Sequence, residues 1–297
     1  MKTDITLYCK SFRNDVNRAF YLLKSIEEFN VDRIPFYLST PSQDRNIFKN
    51  ILGTSGYNWI PDEEIYRSNP RLNLNDLKKI SGSITQQIIK AEFWRLKYSK
   101  VYLCLDSDAI FIKDFYKKNF VSKDEKAYTV AHDSLEFFKE AENYGKKYIY
   151  RNFLQDSNNL KKFFLRDGEN YDFGPSPFIW DKNVWEWLSA MLEEKGMTIS
   201  DGIKRYGNEC RWYGEALLKS KIIDFLPIKP IFKVYHYDWQ YVEDKKRGID
   251  NDKLKEDYLG VIIQSNWDEK RNSVYVKKKN ILSRTFKKIK NYYLGKN

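Results

Sequence analysis

Two carboxylates one residue apart, Asp106 and Asp108, close the apolar run Val101-Tyr102-Leu103-Cys104-Leu105. A short apolar run that stops at charge reads as a buried strand, and in an open α/β sheet the carboxyl ends of such strands border the crevice where ligands bind. Residues two apart in an extended or turning segment project to the same side, so both carboxylates can face one hard divalent cation while Ser107 points away. A cation held there can neutralise a diphosphate. The same three residues also suit a turn in which the aspartates cap backbone groups, so the flanking elements must decide between the two readings.

Residues 83–96 place Ile84, Ile88, Ala91 and Trp94 at helical spacing and predict an amphipathic helix that feeds into the Asp-Ser-Asp strand. Lys90 lies on that helix, where it can complement a diphosphate or stand as a solvated cation. Residues 109–112 form a second apolar run. Residues 4–9 read as a first strand, Asn14 as the N-cap of a helix to about residue 28, 34–38 as a strand and 43–51 as a helix. This alternation predicts a three-layer α/β/α sandwich with a mostly parallel central sheet. Lys10, Ser11 and Arg13 follow the first strand, where such folds admit a nucleotide. The absence of a glycine-rich loop there excludes a dinucleotide fingerprint.

The stretch 115–167 lacks clear periodicity apart from a strand at 127–131 and a helix after Asp133, and reads as an insertion or lid. Beyond it, residues 171–180 begin with turn chemistry and end as an apolar strand. Asp181 can cap a helix whose inner face carries Val184, Trp187, Leu188 and Met191. A further helix follows Asn208 to about residue 219, and 222–225 and 231–235 look like late strands.

The chain has 297 residues, enough to bury a substantial core in one large domain or two joined halves. Its hydrophobic content of 42% and aromatic content of 16% exclude general disorder. No stretch approaches the roughly 18 apolar residues of a membrane span, and no signal-peptide core follows Met1, so a cytoplasmic location is expected. Cys9, Cys104 and Cys210 are odd in number and widely spaced, which predicts reduced thiols rather than a disulfide framework or a zinc site. Eight of the net eleven positive charges fall in residues 277–297, leaving the remainder only about +3, too balanced for a nucleic-acid groove. In that tail Leu282, Phe286, Ile289 and Tyr293 recur at helical spacing beside Lys287, Lys288 and Lys290. Such a basic amphipathic segment suits an anionic membrane surface; a solvated, frayed terminus is the alternative.

The succession of helix, strand, Asp-Ser-Asp and strand resembles the central element of GT-A fold glycosyltransferases, in which the Asp-x-Asp holds a divalent metal on a nucleotide-sugar diphosphate. More closely, Gln86-Gln87 and Lys90 followed by Tyr102-Leu103-x-Leu105-Asp106-x-Asp108 are similar to a glycosyltransferase-like family from bacterial surface-polysaccharide loci. The resemblance implies Mn²⁺ or Mg²⁺ as cofactor, held by Asp106 and Asp108, and a donor contacted by Lys10, Ser11, Arg13, Gln87, Lys90 and Asp106. It also implies a third metal ligand in His236, which ends the run 231–235; a neutral imidazole suits manganese beside two carboxylates. His132, at another strand end, competes for that role, although the helix after Asp133 explains its setting as capping. Glu209 matches the family's acidic helix start and is the first candidate for general base in an inverting reaction, whereas in a retaining one it could only hold or stabilise; charge complementarity at a helix N-terminus accounts for an acid there equally well. Asp172 is the second candidate. Five of the eight tryptophans, Trp180, Trp185, Trp187, Trp212 and Trp239, fall between residues 180 and 239, where a few could stack on sugar rings and the rest would be core.

These readings combine into a metal-dependent glycosyltransferase using a nucleotide-diphosphate sugar, with a UDP-sugar favoured by the resemblance alone. Its acceptor would be a surface glycan such as lipopolysaccharide or capsule, or a lipid-linked precursor at the inner membrane face. Residues 1–118 form the donor half, 119–270 the acceptor half of the same domain and 271–297 the tail. Two other classes stay open on sequence: a metal-dependent nucleotidyl or phosphoryl transferase, which would need a third acidic ligand or a phosphate loop, and a non-catalytic membrane- or nucleic-acid-binding protein.

Overall fold

The computed structural model describes residues 3–77 and 79–264. The chain opens with β1 (Thr3–Lys10), α1 (Val16–Phe29), β2 (Phe36–Thr40), α2 (Arg45–Leu52), β3 (Asn58–Pro61) and α3 (Asp62–Arg67). It continues through α4 (Leu74–Leu77), α5 (Gly82–Glu92), β4 (Ser99–Leu105), β5 (Ala109–Phe111), β6 (Thr129–Val130), α6 (Leu135–Asn143) and α7 (Tyr148–Phe163). The rest comprises β7 (Phe178–Asp181), α8 (Lys182–Glu194), α9 (Ile199–Tyr206), α10 (Glu209–Ser220), β8 (Pro227–Ile228), β9 (Phe232–Tyr235), α11 (Asp238–Lys246), α12 (Asn251–Asp257) and β10 (Gly260–Ile263).

The central sheet has the order β3-β2-β1-β4-β7. Its first four strands are parallel and β7 runs antiparallel along β4. Because β1 lies between β2 and β4, strand order reverses there, and the carboxyl ends of β1 and β4 flank the switch-point crevice of a doubly wound sheet. The register Cys9↔Leu105 brings Lys10 and Asp106 out at the same edge.

Strand alternation sorts side chains between two cores. Ile5, Leu7, Cys9, Val101, Leu103 and Leu105 are buried with Leu22, Leu23, Ile26 and Phe48 of α1 and α2. Tyr8, Tyr102, Cys104 and Trp180 are buried on the other face with Ile88, Trp185, Leu188 and Trp212 of α5, α8 and α10. Burial on both faces is why β4 reads as a continuous apolar run rather than an alternating one. The expected mixed α/β architecture, a mostly parallel sheet between helical layers, is what the chain adopts. Each core joins residues before and after position 118.

Several local expectations shift. The helix over 83–96 ends at Glu92 and tightens into a 3-10 turn over Phe93–Leu96. The second apolar run, β5, leaves the main sheet and pairs with β10, which in turn pairs with β9. The stretch 115–167 holds the helix expected after Asp133, α6, and a second helix, α7, that the sequence reading did not separate. No strand forms over 222–225; pairing starts at Pro227, opposite Thr129 on β6, and Ile222 is exposed. On α8 the fully buried side chains are Val184, Trp185, Leu188 and Leu192, with Trp187 and Met191 packed only partly against them. Asp181 caps that helix as expected, accepting from the Asn183 amide at 2.8 Å. All three cysteines are buried free thiols. Among the described residues no helix is long and apolar enough to cross a membrane. The basic tail at 277–297 lies outside the described residues.

Candidate functional site

Lys90 joins two carboxylates at the carboxyl edge of the sheet. Gln86 and Lys90 sit one turn apart on α5, and side chains on a helix lean toward its N-terminus, so both reach the Asp106 carboxylate at the end of β4. Lys90 Nζ donates to Asp106 Oδ1, and Gln86 Nε2 approaches the same oxygen at 3.4 Å. The ammonium also lies 3.4 Å from Glu209 Oε1. Glu209 opens α10, whose N-cap Asn208 accepts from the Arg211 amide at 3.2 Å. The lysine side chain is only 4% exposed, against 27% for Asp106 and 9% for Glu209. Burial pulls the Lys90 pKa down, but Asp106 and then Glu209 outweigh it and hold the ammonium well above its usual range. Burial raises the Glu209 carboxyl, with Lys90 opposing the shift. Lys90 is thus no solvated cation. Glu209 is both a helix N-terminal acid and one arm of a buried ion-pair triad.

Asp106 and Asp108 are each half-buried, while Ser107 between them is buried. The Ala109 amide closes the turn onto the Asp106 carbonyl at 3.0 Å. Both carboxylates lie near Cys9, whose thiol is pushed up by burial first and by their charges after it. Two partly accessible carboxylates on one turn fit an ion that takes its remaining ligands from substrate phosphates and water. They do not make an all-protein cage. His236, expected as the third ligand, is not gathered with them: among the described residues no group of three or more His, Cys, Asp or Glu side chains is arranged to hold a metal ion.

Two of the residues expected on the donor side, Lys10 and Arg13, are each paired with an aspartate. Lys10 is buried at the end of β1 and pairs with Asp62 Oδ2 at 3.3 Å. Burial pushes the Asp62 carboxyl up to about 6, with Lys10 opposing. Arg13 clamps Asp44, with Nε at 2.8 Å and Nη2 at 2.6 Å from Oδ1 and the backbone amide at 2.9 Å from Oδ2. Asp44 and Asp62 follow β2 and β3, so the carboxyl edge of four successive parallel strands carries Lys10, Asp44, Asp62 and Asp106. Ser11 Oγ, Asp62 Oδ1 and Gln87 Oε1 are buried on elements framing this edge without hydrogen-bond partners. Gln87 thus does not reach Asp106; Gln86, its neighbour, does.

The acceptor-side candidates cluster separately. Asp172 exchanges backbone hydrogen bonds with His132, and its carboxylate accepts from Ser134 Oγ at 2.7 Å and from the Gly174 amide at 3.0 Å. His132 Nε2 lies 2.7 Å from the Gly174 carbonyl. Both oxygens of Asp172 therefore hold loop structure. A Cβ on Gly174 would come within 4.0 Å of Cys210 Sγ, so this loop borders the start of α10. His236 follows β9 and packs its ring 5.3 Å from that of Phe137. Burial lowers its pKa, with Asp172 opposing, which keeps the imidazole neutral near pH 7. Of the five tryptophans, Trp180, Trp185 and Trp212 are core and Trp187 is packed against it. Only Trp239 lies outside.

Residues 4–225 match the model of a family of unknown function, DUF6492. The chain belongs to that family. The DUF6492 segment contains Lys10, Lys90, Asp106, Asp108, Asp172 and Glu209, whereas His236 lies beyond it. No curated protein matches the chain in sequence. Among solved structures, the apo form of mouse xyloside xylosyltransferase 1 is similar at a TM-score of 0.48 and 8% identity, over 89% of this chain and 99% of that one. The apo structure of the bifunctional glycosyltransferase WbbM is similar at a TM-score of 0.49 and 8% identity, over 88% of this chain and 46% of that one.

Proposed function

We propose that the protein transfers a sugar from a nucleotide-diphosphate sugar to a glycan or lipid-linked acceptor, with the donor diphosphate in the crevice between β1 and β4. The observation that carries this reading is the convergence of Lys90, Asp106 and Glu209, from three separate elements, at the strand-order reversal. The residues that resemble a GT-A glycosyltransferase family in sequence, Gln86, Lys90, Asp106 and Asp108, are the ones the fold draws to this edge.

In this reading Lys90 turns its ammonium from Asp106 toward the donor phosphates, whose charged oxygens make strong hydrogen bonds with it. Asp106 and Asp108 would hold Mn²⁺ or Mg²⁺ together with those phosphates; a bound ion there supplies Lewis acidity that stabilises charge on the departing nucleotide. Lys10, Ser11 and Gln87 contribute polar atoms to the donor, and a uridine donor is the first choice on resemblance. Transfer breaks the bond between the anomeric carbon and the phosphate oxygen and forms one to the acceptor oxygen. Glu209 takes the acceptor proton, a task that suits a carboxyl raised by burial. The acceptor approaches from the Asp172 and His236 side. The basic segment 277–297 would hold the enzyme at an anionic membrane face, where lipid-linked acceptors lie.

The test is release of nucleotide diphosphate from a panel of UDP-, GDP- and TDP-sugars with Mn²⁺. One donor class is expected to turn over, and Lys90→Met and Asp108→Asn to slow it at least 100-fold. Turnover unchanged by Asp108→Asn would remove this edge from the chemistry.

A further inference from the structure

We propose that Lys90 is a built-in counter-ion that keeps a divalent cation off Asp106 until a diphosphate enters the crevice, so that cation and donor bind together rather than cation first. The inference rests on the transferase reading in naming the donor diphosphate as what draws the ammonium away; the blocking contact itself requires no donor.

Asp106 meets α5 through one oxygen. Lys90 Nζ donates to Oδ1, and Gln86 Nε2 lies 3.4 Å from the same atom. An ammonium bonded to a carboxylate uses one of its lone pairs and neutralises its charge, and it repels a second cation arriving at the same group. Asp108 alone does not compensate. A hard divalent ion takes several oxygens, and among the described residues no group of three or more His, Cys, Asp or Glu side chains is arranged to supply them.

Lys90 has nowhere to step aside within the protein. Its side chain is 4% exposed, so bulk water does not take over from Asp106. The ammonium otherwise faces Glu209 Oε1 at 3.4 Å and the Phe178 ring, whose centre is 5.7 Å away. One longer ion pair and a ring face replace the Asp106 bond poorly, and a buried charge that loses a partner is strongly destabilising. The replacement has to arrive as anionic oxygen from the accessible side of Asp106, which is 27% exposed. A diphosphate carries enough charged oxygens to accept from the ammonium and to share a cation with Asp106 and Asp108 as well. Linkage then works in both directions: the factor by which the diphosphate tightens the cation is the factor by which the cation tightens the diphosphate.

Binding of Mn²⁺ to the full chain, read from the electron paramagnetic resonance signal of the free ion, tests this without turnover. In the absence of nucleotide, Lys90→Met should bind Mn²⁺ at least about tenfold more tightly than the wild type, within the usual range of coupling between sites. Adding Asp106→Asn should abolish the gain. The double variant Lys90→Met/Glu209→Gln removes both buried charges, should show the same gain, and guards against misfolding of the single variant. A saturating nucleotide diphosphate, tried as UDP, GDP and TDP against a nucleotide-only baseline, should raise the Mn²⁺ affinity of the wild type by a larger factor than that of Lys90→Met. A gain below tenfold in both Lys90 variants, or one that survives Asp106→Asn, overturns the proposal. So does an equal effect of the nucleotide on wild type and Lys90→Met. Nucleotide binding without a gain in the Lys90 variants sinks the counter-ion role alone. A gain with no binding of any nucleotide diphosphate leaves the blocking contact standing and sinks the transferase reading, and with it release by the donor.

Discussion

The Lys90 ammonium lies 3.4 Å from Glu209 Oε1, although 119 positions separate the two residues, and the same ammonium bonds Asp106. The chain thus keeps two carboxylates of one crevice in register through a single buried cation. Taking an ammonium out of water costs several kcal/mol, which the two partners must offset. Lys90→Met removes the charge at similar length and leaves Glu209 buried without it. It is expected to lower unfolding stability by about 3 kcal/mol in urea titration, within the range for breaking a buried pair. The double variant Lys90→Met/Glu209→Gln should recover at least about 1 kcal/mol of that loss, because coupled neighbours are not additive. Additive losses would mean that the two side chains do not interact.

Asp62 predicts a pH dependence of opposite sign to that of a salt-bridged surface acid. Its carboxyl sits at about 6, above its ordinary 3.8, so the native state binds the proton more tightly than the unfolded state does. Stability should therefore fall as pH rises from about 4 to about 6, by up to about 3 kcal/mol. Relative to Asp62→Asn, the wild type should lose this advantage over that window in parallel denaturant titrations. A flat difference would place the carboxyl at its usual pKa.

Gly214 should resist the substitution that normally helps a helix. Alanine in a helix interior is ordinarily worth about 1 kcal/mol over glycine. A Cβ on Gly214, in the middle of α10, would come 2.2 Å from the Phe173 ring, which packs flat against that helix and so fixes the Asp172 loop beside Glu209. Gly214→Ala is expected to destabilise by about 2 kcal/mol through overpacking, and Phe173→Leu in the same chain to restore part of the loss. A stabilised Gly214→Ala would show that the ring yields freely.

The sequence disclosed the elements whose residues carry their own local signal. Residues 101–108 announced β4 and its acidic end because a doubly buried strand needs an unbroken apolar run, and Asp181 announced α8 because N-caps are local. The convergence at Lys90 was half legible: the helix and both aspartates could be named, but a lysine looks the same whether solvated or buried. Asp44 and Asp62 were missed because each starts a helical segment, where an acid is expected in any case, and only the order of β1, β2 and β3 brings them to Arg13 and Lys10. His236 was linked to the aspartates by chain order alone; the second sheet instead directs it toward Phe137 and Asp172.

The most direct measurement is thermal unfolding of the full chain with UDP, GDP, TDP and CMP, each with and without Mn²⁺. One nucleotide diphosphate should raise the melting temperature by several degrees, since a ligand at 100 times its Kd adds about 2.7 kcal/mol to native stability. The rise should require Mn²⁺ and disappear in Asp108→Ala and in Lys90→Met. No shift with any nucleotide, or a shift that survives both crevice variants, would contradict a diphosphate seated between β1 and β4.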